Sequence, residues 1–451
     1  MLVKLTVDNF MSFEKQTELT MIPSNKTTKK KEHKIKIKST SLLKYAVIYG
    51  ANAAGKSNLV KAFSFIQYSV AKSIPVEAVT MFCKTRQENA KKNSCFELQF
   101  VVNGTFYAYG FSICLQERKI KQEWLYELYQ NGTAKTLFEW NEGEKPKLGD
   151  DVALGKLDIL KMQTYLEDFD ENSNGLFLSF MNRGKKYSSS SKITFFKEVF
   201  NWILENLDVC TPQTSLNSFE YYYDDISLTK INDLIKTFDT GITKISIEEI
   251  TQEELRKELP EPIFNEMMDN IKRKLEDENT KNFKVSMRSH ASFFNIEVVE
   301  GSEMKVTTIR LKHGSSHYDF SFNEESDGTR RLFELLDILL NKLENKVYVI
   351  DEMERSLHPK LTARFIELFD QMHPNQKIQL IFTTHESAIM DQELFRRDEI
   401  WFVERDKDNT SNIYSLDKFK ERYDKKLSKA YLEGRYGAIP VFSIFNNFRE
   451  E

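Results

Sequence analysis

The amino-acid sequence predicts an α/β fold that combines a mixed sheet with a parallel core, an antiparallel β lobe and an inserted helical lobe. The run Tyr45–Tyr49 is apolar throughout, as in a strand buried on both faces of a parallel sheet. Asn103-Gly104 and Asn131-Gly132 each separate two strand-like runs, and such dipeptides are typical of tight β-hairpins. From residue 330 onward helical and strand patterns alternate, as they do around a parallel sheet.

The composition is that of a folded protein without a general attraction for nucleic acid. The 451 residues suffice for two or three domains, and the formal net charge of −4 leaves any contact with DNA or RNA to a local patch. Four scattered cysteines without C-x-x-C spacing argue against a zinc site or a disulfide framework. The sequence shows neither a signal-peptide pattern nor an apolar run of about 18 residues, so we expect a cytoplasmic protein without membrane contact.

Residues 1–140 form the first of three predicted zones and are rich in strands. The expected strands are Leu2–Val7, Lys34–Lys38, Tyr45–Tyr49, Cys95–Val102, Thr105–Ile113, Trp124–Gln130 and Thr136–Trp140. A helix is predicted after the third of them from apolar residues at helical spacing, namely Leu59, Ala62, Phe63, Ile66 and Val70. An antiparallel sheet is expected to follow that helix.

Residues 141–285 form the second zone, which is predicted to be mostly helical and polar. Helices are expected over Thr194–Leu207 and around Phe264–Leu275, with Pro260 and Pro262 separating the latter from Gln252–Leu259. Sustained heptads are absent from the sequence, which argues against a long coiled coil. Residues 286–451 form the third zone, for which we expect the helices Arg330–Leu343 and Lys360–Met372 and the strands Val347–Ile350, Ile378–Phe382 and Glu399–Val403.

The loop Gly50–Ser57 matches the phosphate-binding pattern G-x-x-x-x-G-K-[ST]. A predicted strand precedes it and a predicted helix follows it, so backbone N–H groups and a helix dipole point at one place, which suits a polyphosphate. We expect Lys56 to reach the β- and γ-phosphates and the Ser57 hydroxyl to ligate Mg²⁺. The nucleotide-binding residues predicted here are Gly50, Asn52, Gly55, Lys56, Ser57 and Asn58.

Two carboxylates, Asp351 and Glu352, follow directly after the predicted strand Val347–Ile350. Asp351 is expected to bind Mg²⁺ at the carboxyl end of the strand, where ligands lie in open α/β sheets. Glu352 is placed to polarise a water molecule for in-line attack on a γ-phosphate. The sequence therefore predicts ATP and Mg²⁺ as cofactors.

Two further segments are expected to complete the nucleotide site. Ser326 is a candidate N-cap for the leucine-rich helix, and Gly328 permits close backbone approach, so this helix N-terminus is a second phosphate cradle. His385 follows the predicted strand Ile378–Phe382, which places it at the same sheet edge as Asp351. We expect His385 to contact the γ-phosphate.

The order of these segments, with Ser356–Pro359 before His385, resembles the ABC-type ATPase head shared by SMC, RecF and OLD-like proteins. In that family the segment matching Ser326–Gly328 contacts nucleotide bound to a partner subunit. Ser356–Pro359 corresponds to the D-loop and His385 to the switch histidine. The segments Phe395–Trp401 and Tyr431–Pro440 are similar to RloA-type ATP-binding proteins of bacterial abortive-infection and other anti-phage systems. The resemblance covers nearly the whole chain.

The resemblance implies a P-loop NTPase head of which residues 1–140 and 286–451 are the halves and residues 141–285 an insertion. Several known variants of the head fit poorly. The segment Glu325–Thr329 departs from the transporter pattern and no membrane domain accompanies it, while a zinc-hook cysteine pair is missing. The roughly 65 residues after His385 are too few for the Toprim nuclease domain of true OLD proteins.

The function implied by the resemblance is that of an ATPase that regulates a partner. Two or more copies would close around ATP and hydrolyse it, with Glu352, His385 and Lys56 as catalytic residues. The nucleotide state would control a separately encoded effector, such as a nuclease or toxin, in anti-phage defence. The alternatives are a RecF- or SMC-like DNA-binding ATPase of repair or recombination, and a scaffold in which ATP is structural.

Other segments leave alternatives open. Lys26–Lys38 holds seven lysines and one glutamate, which fits a solvated loop and edge strand, with a nucleic-acid backbone contact as the alternative. Tyr221–Tyr223 offer rings for base stacking, but adjacent aromatic residues on a strand usually pack. Gln87 and Gln99 are both candidates for the Q-loop glutamine of the family, and Arg435 has no assigned role.

Overall fold

The fold is described from a computed structural model. It describes residues 1–27, 29–169, 174–188, 190–212, 225–275, 283–288, 293–298, 304–341, 343–419 and 426–440. The predicted aromatic triplet Tyr221–Tyr223 lies outside these residues.

Strands and helices follow one another in the order that the sequence patterns indicate for most of the chain. The strands are β1 Leu2–Asp8, β2 Thr17–Thr20, β3 Lys34–Ile37, β4 Thr40–Leu43, β5 Tyr45–Tyr49, β6 Ser94–Val102, β7 Thr105–Cys114, β8 Lys119–Leu128, β9 Ala134–Asn141, β10 Lys147–Leu148, β11 Leu207–Cys210, β12 Ile242–Ile250, β13 Phe283–Arg288, β14 Phe293–Val298, β15 Lys305–His313, β16 Phe320–Ser321, β17 Val347–Ile350, β18 Gln379–Thr383, β19 Ile400–Arg405 and β20 Ser411–Ser415. The α-helices are α1 Lys56–Ala71, α2 Lys156–Asp168, α3 Phe177–Asn182, α4 Phe195–Asn201, α5 Asp225–Ile235, α6 Gln252–Glu258, α7 Glu261–Leu275, α8 Asp327–Leu340, α9 Pro359–Met372 and α10 Leu427–Leu432.

The chain forms two compact units. The first unit comprises Met1–Pro212, Leu343–Met353 and His373–Glu451, and the second comprises Gln213–Lys342 and Glu354–Met372. This division differs from the predicted zones, because the inserted part begins at Gln213 instead of residue 141 and extends well past residue 285.

Residues 141–212 belong to the first unit because their aromatic side chains pack into its core. Trp202 stacks on Phe100 of β6, with ring centroids 4.0 Å apart. Phe177 and Phe196 pack against Phe138 of β9 at centroid distances of 5.4 and 5.3 Å. Aromatic packing of this kind contributes beyond the apolar area that it buries, so these helices are part of the same core as the antiparallel sheet.

An antiparallel sheet in the first unit has the strand order β10-β9-β8-β7-β6-β1-β2. Asn103 and Gly104 connect β6 to β7 with φ angles of 50° and 80°, the positive values that a two-residue hairpin turn requires. The predicted hairpin is therefore confirmed. The β3 and β4 strands form a separate two-stranded sheet, which agrees with the edge strand predicted within Lys26–Lys38.

A second sheet in the first unit has the order β11-β17-β18-β5-β19-β20, and all its pairs are parallel except β19 with β20. The β5, β17 and β18 strands are wholly buried, which explains their uninterrupted apolar sequences. The predicted parallel sheet is confirmed. Because the strands run in the same direction, the segments that follow β5, β17 and β18 meet at one edge.

A buried glutamine, Gln379, links the two sheets of the first unit. Its side-chain Oε1 accepts a hydrogen bond from Leu2 N at 2.7 Å, and its Nε2 donates to Leu2 O and Leu43 O, both at 3.0 Å. Leu2 lies on β1 of the antiparallel sheet, while Gln379 begins β18 of the parallel sheet. Buried backbone groups between the sheets thereby keep their hydrogen-bond partners.

The second unit contains an antiparallel sheet in the order β12-β15-β14-β13, with β16 beside β15. The prediction of a mostly helical zone was wrong for Ile242–Ile250, which is a strand paired along its length with β15. Its isoleucines and threonine favour a strand, and its partner lies about 60 residues further along the chain, beyond the reach of local pattern reading. The helices α6 and α7 confirm the predicted separation at Pro260, whereas Pro262 lies in the first turn of α7 and does not separate the helices.

Glu123 is a buried carboxyl group that joins the antiparallel sheet to the start of α3. It accepts hydrogen bonds from Phe177 N at 2.5 Å, Leu178 N at 3.0 Å and the Tyr109 hydroxyl at 2.9 Å. Burial raises the pKa of Glu123 to about 7, and these three hydrogen bonds partly offset that rise.

We expect this carboxyl group to make the stability of the protein depend on pH. Because the pKa is higher in the folded than in the unfolded state, the contribution is complete below about 4.5 and is lost as pH rises through about 7. Denaturant unfolding of wild type and Glu123→Gln across this range should show a difference in free energy that changes in favour of the variant by about 3 kcal/mol. Parallel pH profiles of the two proteins would contradict the assignment.

Candidate functional site

The loop Gly50–Ser57 connects the carboxyl end of β5 to the first turn of α1, as predicted. Gly55 precedes α1 with a φ of 113°, a conformation that other residues adopt only with strain. A Cβ atom at Gly50 would collide with the carbonyl oxygen of Val403 on β19. The first turn of α1, every residue of which is described, contains no acidic side chain to offset the positive end of the helix dipole. The loop therefore has the backbone geometry and polarity of an anion-binding turn.

Two serines that are far apart in sequence hold this loop. Ser411 Oγ donates to Ala54 O at 2.5 Å, and Asn58 Nδ2 donates to Ser12 Oγ at 2.8 Å. Ser411 N donates to Ser12 O at 2.7 Å, which links the two supports. Both hydroxyl groups lie so close to Gly55 that a side chain there would displace them. The sequence did not indicate that either serine belongs to the site. Asn58, which the sequence predicts to bind the nucleotide, donates its side-chain amide to Ser12.

Lys56 is the buried cation of the loop. Its side chain is 5% exposed, and Nζ donates to Gly50 O at 2.9 Å and to Ala51 O at 3.1 Å. Nζ also lies 3.4 Å from His385 Nδ1. An ammonium group only donates, so a hydrogen bond between these two groups requires that Nδ1 carry no proton. The structure thus brings Lys56 and His385 together, while Asn52 lies exposed in the loop.

Thr383, at the end of β18, organises the two carboxylates that follow β17. Its Oγ1 donates to Asp351 Oδ1 at 2.6 Å and accepts from Glu352 N at 2.8 Å. Its carbonyl oxygen accepts from Met353 N at 3.1 Å. Asp351 is buried at 6% exposure, so this hydroxyl fixes the orientation of a carboxylate with little access to solvent. Thr383 was not among the predicted site residues, although it lies two residues before His385.

Glu352 has a backbone conformation that is uncommon for its residue type. Its φ is 49°, in the left-handed region, and its N–H is held by Thr383. Strained backbone of this kind persists only where the surroundings impose it, and it concentrates at functional sites. Glu352 and Ser57 are both half-buried, which leaves a carboxylate and a hydroxyl with access to solvent at this edge.

The strand ends that carry these groups are fixed side by side. Thr384 N donates to Ile48 O at 3.0 Å, so the segment before His385 is hydrogen-bonded to β5 just ahead of the glycine loop. Thr383 makes the corresponding link to β17 on the other side. The predicted residues Lys56, His385, Asp351 and Glu352 therefore lie at one edge of a single sheet.

The second unit carries the other predicted cradle. Ser326 is the N-cap of α8, and its Oγ accepts from Thr329 N at 3.1 Å, as the sequence predicts. A Cβ atom at Gly328 would lie 2.6 Å from the carbonyl oxygen of Ser356, which has a φ of 63°. The start of α8 and the segment Ser356–Pro359 are thus in close backbone contact within this unit.

Three other candidates acquire no role from the structure. Gln99 lies on β6 and donates to Glu97 at 2.9 Å, and Gln87 begins a short 3-10 turn. Arg435 donates to Glu433 at 3.0 Å.

Among the described residues, no helix is long and apolar enough to cross a membrane.

A strand, a glycine loop and a helix beside an acidic strand end in a parallel sheet are the arrangement of a P-loop nucleotide-binding fold. The chain belongs to the family described as "AAA domain, putative AbiEii toxin, Type IV TA system", which matches residues 46–152 and 225–391, more than half of its length. The matched ranges include the glycine loop, the start of α8, the acidic pair and His385.

The chain is also similar to two solved SMC heads. One is the SMC head bound to the C-terminal winged-helix domain of ScpA, with 13% identity, a TM-score of 0.36 and coverage of 92% of this chain and 97% of that one. The other is the SMC head domain from Thermotoga maritima, with 14% identity, a TM-score of 0.35 and coverage of 92% and 98%. A search of curated proteins finds no match. The finer resemblance to RloA-type proteins stays a prediction.

Thr383 is expected to act as a positioning residue for Asp351 and Glu352. Replacing it with valine keeps the shape but removes the hydroxyl, so a buried carboxylate loses a hydrogen bond. We expect Thr383→Val to lower kcat for ATP by about tenfold or more, with a smaller change in KM and a higher Mg²⁺ requirement.

Thr383→Ser is the matched control, because it retains the hydroxyl and should hydrolyse ATP nearly as wild type does. Steady-state hydrolysis measured against both ATP and Mg²⁺ distinguishes positioning from general destabilisation. Equal kcat and equal Mg²⁺ dependence in the valine and serine variants would contradict the role given to Thr383.

Proposed function

We propose that this protein is a Mg²⁺-dependent ATPase that closes as a dimer around ATP and controls an effector protein. The observation that carries the proposal is the convergence of Lys56, His385, Asp351 and Glu352 at one sheet edge. Phosphoryl transfer needs mainly positioning and charge stabilisation, which such a set supplies without a covalent intermediate.

Each residue at this edge has a chemical role that suits its position. Lys56 and the N–H groups at the start of α1 would bind the phosphates, and Ser57 with Asp351 would hold Mg²⁺. Glu352 is the candidate base that polarises the attacking water, since it is half-buried and held by Thr383. His385, with its proton on Nε2, would donate to the γ-phosphate.

The second cradle, Ser326–Gly328, would act on ATP that is bound to the partner subunit. The N-terminus of α8 offers N–H groups to an anion, and the Asp327 carboxylate in its first turn is paired with Arg330. A symmetric dimer that pairs this segment with the glycine loop of the other copy would contain two equivalent composite sites.

Control of a separately encoded effector is the least direct part of the proposal. The family description names a "putative AbiEii toxin" and a "Type IV TA system", and a toxin–antitoxin system has a second, separately encoded component. In such a system an ATPase would act by restraining or releasing a partner, in keeping with a role in anti-phage defence. The competing DNA-repair function is less well supported, because carboxylates lie near Lys26, Lys29 and Lys30.

Glu352→Gln should separate nucleotide binding from hydrolysis. We expect kcat to fall by roughly a hundredfold or more while ATP still binds, so that ATP-bound dimer accumulates in light-scattering measurements. Lys56→Ala is the matched control, which should bind ATP poorly and stay monomeric. Unchanged turnover in Glu352→Gln would remove this residue from the mechanism.

The same pair of variants tests effector control. With ATP present, Glu352→Gln purified from cells that carry the neighbouring genes should retain a partner protein that Lys56→Ala does not retain. Recovery of DNA instead of a protein, with turnover stimulated by duplex ends, would favour the repair function.

Mixing two inactive variants tests whether the site is shared between subunits. Lys56→Ala damages the glycine loop and Ser326→Arg blocks the second cradle, so a mixed dimer places both defects in one site and leaves the other intact. Mixing should restore activity that neither variant has alone, up to about half of the wild-type rate, since only mixed dimers have a sound site and each has one of two. If the two cradles act on ATP within one chain, mixing will restore nothing.

A further inference from the structure

A cluster of lysines surrounds a cavity at the other edge of the parallel sheet. Lys44 immediately precedes β5 and Lys377 shortly precedes β18, so both lie at the amino ends of strands whose carboxyl ends face the nucleotide loop. The cavity has a volume of about 270 Å³. Its lining residues are Glu32, Lys34, Ile35, Lys36, Lys44, His373, Pro374, Asn375, Gln376 and Lys377.

The floor of this cavity contains a buried cation. Lys44 is 3% exposed, and its Nζ donates to His373 O at 3.1 Å. The loop that bears this carbonyl is shaped by a contact of 2.7 Å between His373 Nδ1 and Gln376 Oε1. Asn345 N donates to Lys377 O at 2.7 Å and anchors the end of the loop.

The three lysines around the rim differ from their neighbours along the chain. In the described part of the chain, no carboxylate lies within ion-pair distance of Lys34, Lys36 or Lys377. By contrast, the Nζ atoms of Lys26, Lys29 and Lys30 lie 3.9–4.0 Å from carboxylate oxygens of Asp417, Glu393 and Glu32, respectively. Uncompensated positive charge is therefore concentrated around the cavity and does not form a continuous track.

A buried network holds the backbone that leads into these lysines. Arg396 pairs with Asp398 at 2.7 Å, and its guanidinium donates to Lys29 O at 2.7 Å and to Thr27 O at 3.2 Å. His33, directly before β3, lies 2.8 Å from a carboxylate oxygen of the fully buried Glu399.

This anchoring fixes the course of the chain before β3, on which two of the rim lysines lie. Since the β3 backbone is already ordered, a ligand would have to order only the lysine side chains, which lowers the entropic cost of binding.

We propose that this cavity binds a compact oligophosphate group, with Lys34, Lys36 and Lys377 contacting its oxygens. Three or four ammonium groups around a concave site suit two or three adjacent phosphates, for which lysine acts as a point charge. The limited volume and the paired lysines beyond the rim favour a compact anion over an extended nucleic-acid backbone. Glu32 also lines the cavity, and its carboxylate would repel an anion on that side, which limits the size of the ligand.

Titration calorimetry with sodium tripolyphosphate tests this site, with sulfate as the probe for unspecific ionic effects. All proteins carry Lys56→Ala, which removes binding at the glycine loop. The test variant changes Lys34, Lys36 and Lys377 to glutamine, and a second variant changes the same lysines to arginine. A matched control changes Lys145, Lys156 and Lys197, exposed lysines that do not line the cavity, to glutamine.

We expect the cavity glutamine variant to bind tripolyphosphate about tenfold or more weakly, while the arginine and control variants bind as their parent does. Equal affinity in the two glutamine variants would overturn the proposal. A duplex oligonucleotide labelled for anisotropy provides the second arm. Duplex binding that tripolyphosphate cannot displace, and that also requires Lys26 and Lys29, would overturn it in favour of an extended backbone track.

Discussion

The parallel pairing of β18 with both of its neighbours is the constraint on which the candidate site depends. Ile350 lies opposite Phe382, and Thr383 lies opposite Ile48, so the ends of three strands are level. If either pair were antiparallel, the glycine loop and the acidic pair would lie at opposite edges of the sheet. Backbone hydrogen bonds at the end of β18 then hold the ends of β5 and β17 beside it. The Thr383 hydroxyl also fixes the orientation of the Asp351 carboxylate.

The parts of the site that could be predicted from the sequence are those whose residues lie within one continuous segment of the chain. Gly50–Ser57 is such a segment, because the glycines, the lysine and the flanking strand and helix lie within a single stretch of chain. The acidic pair after β17 and the N-cap Ser326 are similar cases, since each depends on neighbours within a few residues. Local sequence determines these features, and the structure agrees with them.

Contacts between distant segments account for what the sequence did not predict. Ser12 and Ser411 support the glycine loop from positions that are hundreds of residues apart, and a serine in a polar loop carries no pattern of its own. Thr383 gains its importance from the register between β17 and β18, which the sequence of either strand leaves undetermined. Ile242–Ile250 was assigned to a helical zone for the same reason, because its strand character depends on pairing with β15.

The acidic pair is also close, along the chain, to the point where the polypeptide leaves the first unit. The second unit resumes at Glu354, two residues after Glu352, and contains the whole of α9 before the chain returns at His373. Left-handed φ angles occur at Glu352 and again at Ser356, a backbone conformation that is uncommon for residues other than glycine. The Ser356 carbonyl in turn lies against Gly328, at the start of α8. Within the second unit, a side chain at position 328 would collide with this carbonyl oxygen, so packing alone requires a glycine at the start of α8.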